Sequence, residues 1–413
     1  MSASIIIRTK REELQLTQKE LAVRLGLEEN GERTVRGWEN GEHAPNTHML
    51  LEIKNLTSSP RFPSPENPTF KFIDLFAGIG GIRLPFQELG GECVFTSEWD
   101  KFAQKTYQAN FGEKPSGDIT QIPARDIPEH DVLLAGFPCQ AFSQAGLRQG
   151  FSDTRGTMFF EIQRILAARR PAAFLLENVK QLRGHDKGRT LKTILDILNG
   201  RTVPDLPDDI PMSEEARASL SQSLNYEVSY EVLRAADFGV PQNRERVYIV
   251  GFNRDKFPDI NLKDFFSSLK KPGTAKLGTV LENNKNVDPK YTISDRLYAG
   301  HIRRKEEHKA KGNGFGYSLF TKESPYCNTI SARYYKDGSE ILIDQSDIGQ
   351  NPRKLTPKEC LRIQGFPENY DLSAVSDVQL YKQFGNSVSV PVIRAIAKSI
   401  TQLVSNSQPG QFD

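Results

Sequence analysis

Four residues that could do chemistry stand at the ends of apolar runs in this 413-residue chain. In AGFPCQAFSQAG (Ala135–Gly146), Cys139 follows DVLLAGFP directly, with Pro138, Gln140, Ser143 and Gln144 around it. An inert cysteine is usually embedded in an apolar stretch. A cysteine in a small, polar loop past a strand is instead placed to meet a ligand. Its thiolate is the nucleophile, and thiolates form beside a cation or a helix N-terminus. Glu177, in LLENV, ends a neighbouring strand-like run, which would bring it near Cys139. In PQNRERVYIVGF (Pro241–Phe252), Arg244 and Arg246 precede a strand. Two residues apart, they share one face of the chain and can hold a pyrimidine carbonyl and a carboxylate. No histidine lies in the Cys139 stretch.

A second set of residues describes a nucleoside pocket. DLFAGIGG (Asp74–Gly81) stands where the first strand turns into the first helix. Gly78, Gly80 and Gly81 permit a tight turn and close backbone approach. The spacing is GxGG and lacks the last glycine of the dinucleotide fingerprint. The next strand ends in Glu98 and Trp99, a carboxylate for ribose hydroxyls and an indole face for a purine. Asp118, in GDI (Gly117–Ile119), can accept from an adenine amine. Each of these residues alone is more often structural. In this order, at successive strand ends, they describe one pocket. No lysine-bearing phosphate loop accompanies them, so an adenosine cofactor without a triphosphate is expected.

The elements that must position these groups alternate. KFIDLF (Lys71–Phe76), ECVFTSE (Glu92–Glu98), DVLLAGF (Asp131–Phe137), AAFLLENV (Ala172–Val179), YEVSYEVL and RVYIVGF (Arg246–Phe252) read as strands. GGIRLPFQELG (Gly80–Gly90), DKFAQKTYQANF (Asp100–Phe111), MFFEIQRILAARR (Met158–Arg170) and TLKTILDIL (Thr190–Leu198) read as helices. Near-continuous apolar strands between helices imply an α/β fold, a mostly parallel sheet covered on both faces. Ligands of such sheets bind beyond the carboxyl ends of the strands. After Phe252 the rhythm breaks into a glycine-rich region of mixed charge. Its short strand candidates include EILID (Glu340–Asp344), and an amphipathic helix, Val390–Val404, returns to the sheet.

Residues 1–57 form a separate small helical piece, and the proline- and serine-rich stretch 58–69 reads as a linker. LTQKELAVRLGL (Leu16–Leu27) is a helix with a capping box from Thr17 and Glu20. RTVRGWENGEHAPN (Arg33–Asn46) supplies a second helical piece. Composition is ordinary: 37% hydrophobic, 26% charged, formal net charge +2. Any nucleic-acid surface must therefore come from local patches such as HIRRKEEHKAKG (His301–Gly312). The four cysteines are scattered without a CxxC pair, which argues against a zinc knot or disulfide framework. No membrane span or secretory signal is visible, so a cytoplasmic protein without membrane partners is expected.

Six ordered blocks, DLFAGIGG, GFPCQAFSQAG, LLENV, QNRERVYIVGF, LTPKECLRIQGFP (Leu355–Pro367) and QFGNSVSVPV (Gln383–Val392), together resemble the DNA (cytosine-5)-methyltransferases of bacterial restriction–modification systems. The resemblance covers about residues 70–405. It implies a Rossmann-like S-adenosylmethionine-dependent methyltransferase sheet over 70–254, a target-recognition domain over 255–370, and a C-terminal return over 371–413. It implies S-adenosyl-L-methionine as cofactor and duplex DNA as partner, with a restriction endonuclease as genetic partner only. Cys139 would attack C6 of a flipped-out cytosine, Glu177 would act at N3, Arg246 would hold O2 and Arg244 would support Glu177 or the loop. The cofactor shell would be Phe76, Gly78, Ile79, Gly81, Glu98, Trp99, Asp118, Ile119, Pro138, Asn386, Ser387 and Val388. Ser143 and Arg155 would contact the DNA backbone. In the recognition region, Arg333, Tyr334, Tyr335 and Lys336 are candidates for base and phosphate contacts; alternatively, the tyrosines pack and Lys336 caps a turn. That region is similar to those reading CCNGG or CCWGG sites with the inner cytosine modified. The N-terminal pattern TQKELA…WENG resembles phage-repressor helix-turn-helix domains, although Glu28–Glu32 lengthen the turn. Arg33, Thr34 and Arg36 would face operator DNA while Val35 and Trp38 pack inward. Such a module would regulate the protein's own operon. A transcriptional regulator with incidental catalysis and an RNA cytosine methyltransferase are the alternatives.

Overall fold

The computed structural model describes residues 2–14, 16–25, 27, 30–55, 60–138, 158–201 and 212–406. Cys139, Ser143 and Arg155 lie outside the described residues.

Among the described residues of the N-terminal domain are four helices, α1 (Ala3–Glu13), α2 (Gln18–Arg24), α3 (Gly31–Asn40) and α4 (Thr47–Asn55). The Thr17–Glu20 capping box starts α2: the Thr17 amide donates to Glu20 Oε2 at 2.7 Å, and the Glu20 amide to Thr17 Oγ1 at 3.1 Å. Helix α3 stops at Asn40, short of the expected Asn46, because Gly41 takes the left-handed conformation at φ 74°. Ile7, Leu21, Ala22, Leu25, Val35, Trp38 and Ile53 make the core of this domain. Val35 and Trp38 thus face inward as expected. Helices α1 and α4, which supply Ile7 and Ile53, were not legible in the sequence.

The central sheet follows. Its elements are β1 (Phe70–Leu75), α5 (Arg83–Glu88), β2 (Gly91–Ser97), α6 (Lys101–Phe111), β3 (Val132–Gly136), α7 (Met158–Arg169), β4 (Ala173–Val179), α8 (Arg189–Leu198), α9 (Glu214–Ser219), β5 (Tyr226–Arg234) and β6 (Glu245–Asn253). Strand order is β2-β1-β3-β4-β6-β5. The pairings β1–β2, β1–β3 and β3–β4 are parallel, whereas β6 runs antiparallel to both β4 and β5. Alternate side chains feed two cores. Phe72, Val132, Leu134, Leu175 and Val250 pack on one face with Phe86 of α5. Ile73, Leu133, Ala135, Phe174 and Ile249 pack on the other with Phe159 and Ile162 of α7. Burial on both faces is why the strands read as unbroken apolar runs. Helix α5 starts three residues later than expected, since Gly80 sits at φ 77°, outside helical space.

The remaining elements are α10 (Asp295–Ala310), β7 (Leu319–Phe320), β8 (Leu342–Ile343), α11 (Pro357–Gln364), α12 (Asp377–Asn386) and α13 (Val390–Asn406). The expected strand Glu340–Asp344 shortens to β8, paired in parallel with β7. Two findings blur the expected boundaries of the recognition region. Phe257, Leu262, Phe265, Phe266 and Leu269 join the core behind the sheet, so the catalytic body runs past residue 254. Leu277, Cys327, Ile330 and Tyr334 share a cluster with Ile79, Leu84, Tyr107 and Phe111. The region is therefore built onto the cofactor side of the sheet. Among the described residues, no helix is long and apolar enough to cross a membrane.

Candidate active site

The direction of β6 assembles the charged end of the site. Because β6 is antiparallel to β4, its first residues lie at the carboxyl end of β4, with Arg246 opposite Val179 and Tyr248 opposite Glu177. Arg246 Nε lies 3.2 Å from Glu177 Oε1. Burial raises the Glu177 carboxyl above the usual carboxylate range, with Arg246 and then Arg244 opposing. On its other side, β4 places Glu177 opposite Gly136. A Cβ on Gly136 would stand 3.7 Å from Glu177 Oε2, an ordinary contact distance, so the carboxyl lies directly beside this position. Asn178 Nδ2 donates to the Phe137 carbonyl at 3.2 Å. That bond fixes the chain as it leaves β3 toward exposed Pro138, the residue before Cys139.

Arg244 does something other than touch Glu177. Its guanidinium donates to the carbonyls of Ile330 at 3.3 Å, Gly385 at 3.1 Å and Ser387. It is fully enclosed, and burial and Arg246 work against its charge while Glu177 favours it. Through these bonds Arg244 ties β6 to the segment around Ile330 and to the end of α12.

The cofactor turn lies at the end of β1. Phe76 at φ 55°, Gly78 at φ 55° and Gly80 at φ 77° bend the chain sharply. Gly78 donates its amide to Glu98 Oε2 at 2.8 Å, and Asp100 donates to Glu98 Oε1 at 2.7 Å. Glu98 is buried beside that turn, which raises its pKa. Trp99 follows with 80% of its surface exposed, so its indole face is open. Asp118 is exposed and caps a short turn through the Thr120 amide at 3.0 Å. A Cβ on Gly81 would meet Val388 at 2.9 Å and Ser387 Oγ at 3.1 Å, so the segment after α12 lies directly over the turn. Asn386 is exposed at its start. The side chains of Ile79 and Ile119 sit in the hydrophobic cores.

The recognition candidates divide. Arg333 and Lys336 are exposed, and Tyr335 is half-buried with the Lys382 ammonium 5.2 Å from its ring centre. Tyr334 is fully buried; its hydroxyl donates to the Ile341 carbonyl at 2.7 Å and accepts from the Leu355 amide at 2.7 Å. It is a packing residue, not a DNA contact. In the N-terminal domain Arg33 and Arg36 are exposed and Thr34 half-exposed. Arg36 pairs with Glu32 at 2.6 Å and donates to Gln18 of α2 at 3.3 Å.

Two residues of the site escaped the sequence reading. Asp74 is fully buried at the end of β1, and neither oxygen has a hydrogen-bond partner among the described residues. Tyr370 donates its hydroxyl to the Ile79 carbonyl at 2.6 Å, from nearly 300 positions away in the chain. A carboxylate inside an apolar strand was a usable signal for Asp74; nothing local announced Tyr370.

Sheet order, glycine turn and the Glu98–Trp99 pair define a class, the Rossmann-like S-adenosylmethionine-dependent methyltransferases. The family model for C-5 cytosine-specific DNA methylases matches residues 70–200 and 216–402, and a helix-turn-helix model matches residues 7–56. The chain belongs to the C-5 cytosine-specific DNA methylase family and carries an N-terminal helix-turn-helix domain. It is 54% identical to the Type II methyltransferase M.SsoII of Shigella sonnei, over 95% of this chain and 96% of that one. It is 52% identical to the Type II methyltransferase M1.ScrFI of Lactococcus lactis subsp. cremoris, over 98% and 97%. In fold it is similar to the Entamoeba histolytica methyltransferase EhMeth, with a TM-score of 0.61 over 81% of this chain and 98% of that one, at 19% identity. The residues present fit S-adenosylmethionine. Gly78 leaves open space at its α-carbon, Glu98 offers a carboxylate to a ribose, and Trp99 offers an aromatic face.

Proposed function

We propose that this chain is the modification enzyme of a Type II restriction–modification system. It methylates the inner cytosine of a CCNGG or CCWGG duplex site and so protects DNA from a cognate endonuclease. The carrying observation is the Glu177–Arg246 pair held at 3.2 Å beside Gly136, where β3 leads through Phe137 and Pro138 into Cys139.

The chemistry follows from those groups. The target atoms of a cytosine are inaccessible in a duplex, so the base is flipped into the cleft. The Cys139 thiolate attacks C6 and forms the C6–S bond. Glu177, protonated, donates to N3 and holds the electron pair that moves onto the ring. Arg246 donates to the O2 carbonyl. C5 is then the nucleophile, and S-adenosylmethionine supplies the electrophilic methyl group when bound. A base takes the C5 proton, the C5–H electron pair forms the C5=C6 bond as the C6–S bond breaks to release the Cys139 thiolate, and N3 returns its proton to Glu177. Phe76, Glu98, Trp99, Asp118 and the Asn386–Val388 segment bind and orient the cofactor. Arg333, Tyr335 and Lys336 contact the DNA target.

Bisulfite sequencing of plasmid DNA from cells expressing the chain, beside Cys139→Ser, tests this. Site-specific 5-methylcytosine is expected with the parent alone. Its absence from the parent sinks the enzymatic reading, and its persistence in the variant sinks the role of Cys139.

A second activity is favoured by the complete core of the helical domain and the exposure of Arg33 and Arg36 on α3. The domain binds operator DNA and regulates the protein's own operon. Arg33→Ala combined with Arg36→Ala should abolish retention of the promoter fragment in a gel shift and leave methylation intact. Undiminished retention refutes this assignment.

A further inference from the structure

The stretch between the two domains looks like a spacer in the sequence, yet residues 60–63 are docked. The Phe62 amide donates to the Asn110 carbonyl at 2.9 Å. Gln87 Nε2 donates to the carbonyls of Phe62 at 2.9 Å and Pro63 at 2.7 Å. Gln87 is itself held by Arg83 Nε at 2.7 Å. Pro60 covers Gly112, where an added Cβ would lie 3.1 Å from the proline ring. A free linker leaves its backbone groups to water, whereas here an amide and two carbonyls are taken up by α5 and α6.

The Phe62 ring closes an aromatic stack. It lies nearly parallel to Tyr370, with centroids 5.9 Å apart at 29°, and tilts against Phe111 at 5.9 Å. Tyr370 packs on Phe366 at 4.9 Å. Both Phe111 and Tyr370 lead to the cofactor turn. The Phe111 ring fills the space where a Cβ on Gly80 would stand. The Tyr370 hydroxyl donates to the Ile79 carbonyl at 2.6 Å. That carbonyl and the Gly80 amide belong to one peptide unit, and the Gly80 amide donates to Ala77 at 2.8 Å. The unit runs from the α-carbon of Ile79 to that of Gly80, and Gly80 stands at positive φ. A glycine on one side lowers the cost of rotating such a peptide. Here it is pinned at its oxygen and at its nitrogen.

We propose that Phe62 and Tyr370 are positioning residues for the cofactor turn, the interdomain segment acting as a strap that holds the Ile79–Gly80 peptide in its binding orientation. This rests on the assignment of that turn to S-adenosylmethionine. Neither side chain touches the reacting atoms. Their removal should weaken cofactor binding while the methyl-transfer step survives.

The test uses the full-length protein with Tyr370→Phe, Phe62→Ala and Phe62→Leu. S-Adenosylhomocysteine binding is measured by titration calorimetry, and KM for S-adenosylmethionine, KM for DNA and kcat by steady-state methylation. Tyr370→Phe removes one buried hydrogen bond and keeps the ring, so cofactor Kd and KM should rise about five-fold. Phe62→Ala should raise them at least as much, and Phe62→Leu should recover part of the loss. The rate at saturating cofactor and KM for DNA should stay within about two-fold of the parent. Tyr370→Phe, being nearly isosteric, decides the matter if Phe62→Ala fails to fold. A cofactor Kd unchanged within two-fold in folded Tyr370→Phe overturns the proposal, as does a fall in kcat with both KM values unchanged. A parent that binds no S-adenosylhomocysteine and leaves DNA unmethylated would instead refute the functional reading.

Discussion

Arg244→Lys separates a positioning role from a chemical one. The guanidinium reaches three carbonyls on two segments, that of Ile330 and those of Gly385 and Ser387 at the end of α12. A hydrogen bond from a charged donor contributes about 1.5–3 kcal/mol. Lysine keeps the charge but presents a compact ammonium in place of the planar fork, and from one point it serves one of these carbonyls. Two bonds are lost, about 3–6 kcal/mol at most; relaxation and the amine's smaller volume bring the expected loss to about 3 kcal/mol. At about 2–4 °C per kcal/mol for a large domain, the melting midpoint should fall by about 6–12 °C. The kinetic signature is more specific. Ile330 belongs to the recognition region, and Ser387 lies over Gly81 of the cofactor turn. Both KM values, for DNA and for S-adenosylmethionine, should therefore rise together, with kcat at saturation within about three-fold of the parent. Differential scanning fluorimetry and tritium-transfer kinetics read both quantities. An unchanged melting midpoint with a hundred-fold lower kcat and unaltered KM values would show that Arg244 acts on the reacting base.

Three further expectations follow from the site. Gly80→Ala forces a side chain into positive φ and against the Phe111 ring, so S-adenosylhomocysteine affinity should fall at least ten-fold by calorimetry; a Kd within two-fold of the parent would contradict the tight fit. Burial raises the Asp74 carboxyl well above its ordinary value, so the folded chain keeps a proton that the unfolded chain releases near pH 3.9. The residue's contribution to stability is present at low pH and is lost as pH rises through the folded value. Asp74→Asn should therefore gain stability over the parent between pH 5 and pH 8 in denaturant titrations, and parallel curves would count against this. The raised Glu177 carboxyl predicts an alkaline fall in methylation as its proton is lost, and Glu177→Gln should lower kcat about a hundred-fold and flatten that limb. Retention of the limb in the variant would assign it to another group.

Much of the sheet was legible because burial on both faces writes an unbroken apolar run. Leu133 and Leu134 point to opposite cores, and so do Phe174 and Leu175. The capping box of α2 was legible because it is a local exchange of two hydrogen bonds. Features set by distant partners were not. Helix α1 puts Ile7 in the core and leaves Ile5 half-exposed, so no amphipathic period marks it. Tyr334 carries the polar end of a surface residue, but the Ile341 carbonyl and Leu355 amide satisfy it in the core. The segment 60–63 has the composition of a linker, and only Asn110 and Gln87 show that it is docked.

The candidate active site shows the same division in one pair of residues. Motif order brought Glu177 and Arg246 into one list, but 69 positions separate them and neither run states its strand's direction. Were β6 parallel to β4 over the same residues, Arg246 would stand opposite Ala173, four residues and about 13 Å along the strand from Glu177. The antiparallel turn of β6 supplies the proximity. It also sets the chemistry's central tension. An arginine at 3.2 Å favours the charged carboxylate, whereas a donor to N3 must be protonated. Burial is the larger effect at Glu177, so the carboxyl stays raised despite two arginines. In the proposed mechanism, a base whose O2 carbonyl drew Arg246 toward itself would weaken the larger of the two charge effects that oppose protonation. Holding the substrate and arming the acid would then be a single rearrangement of one guanidinium.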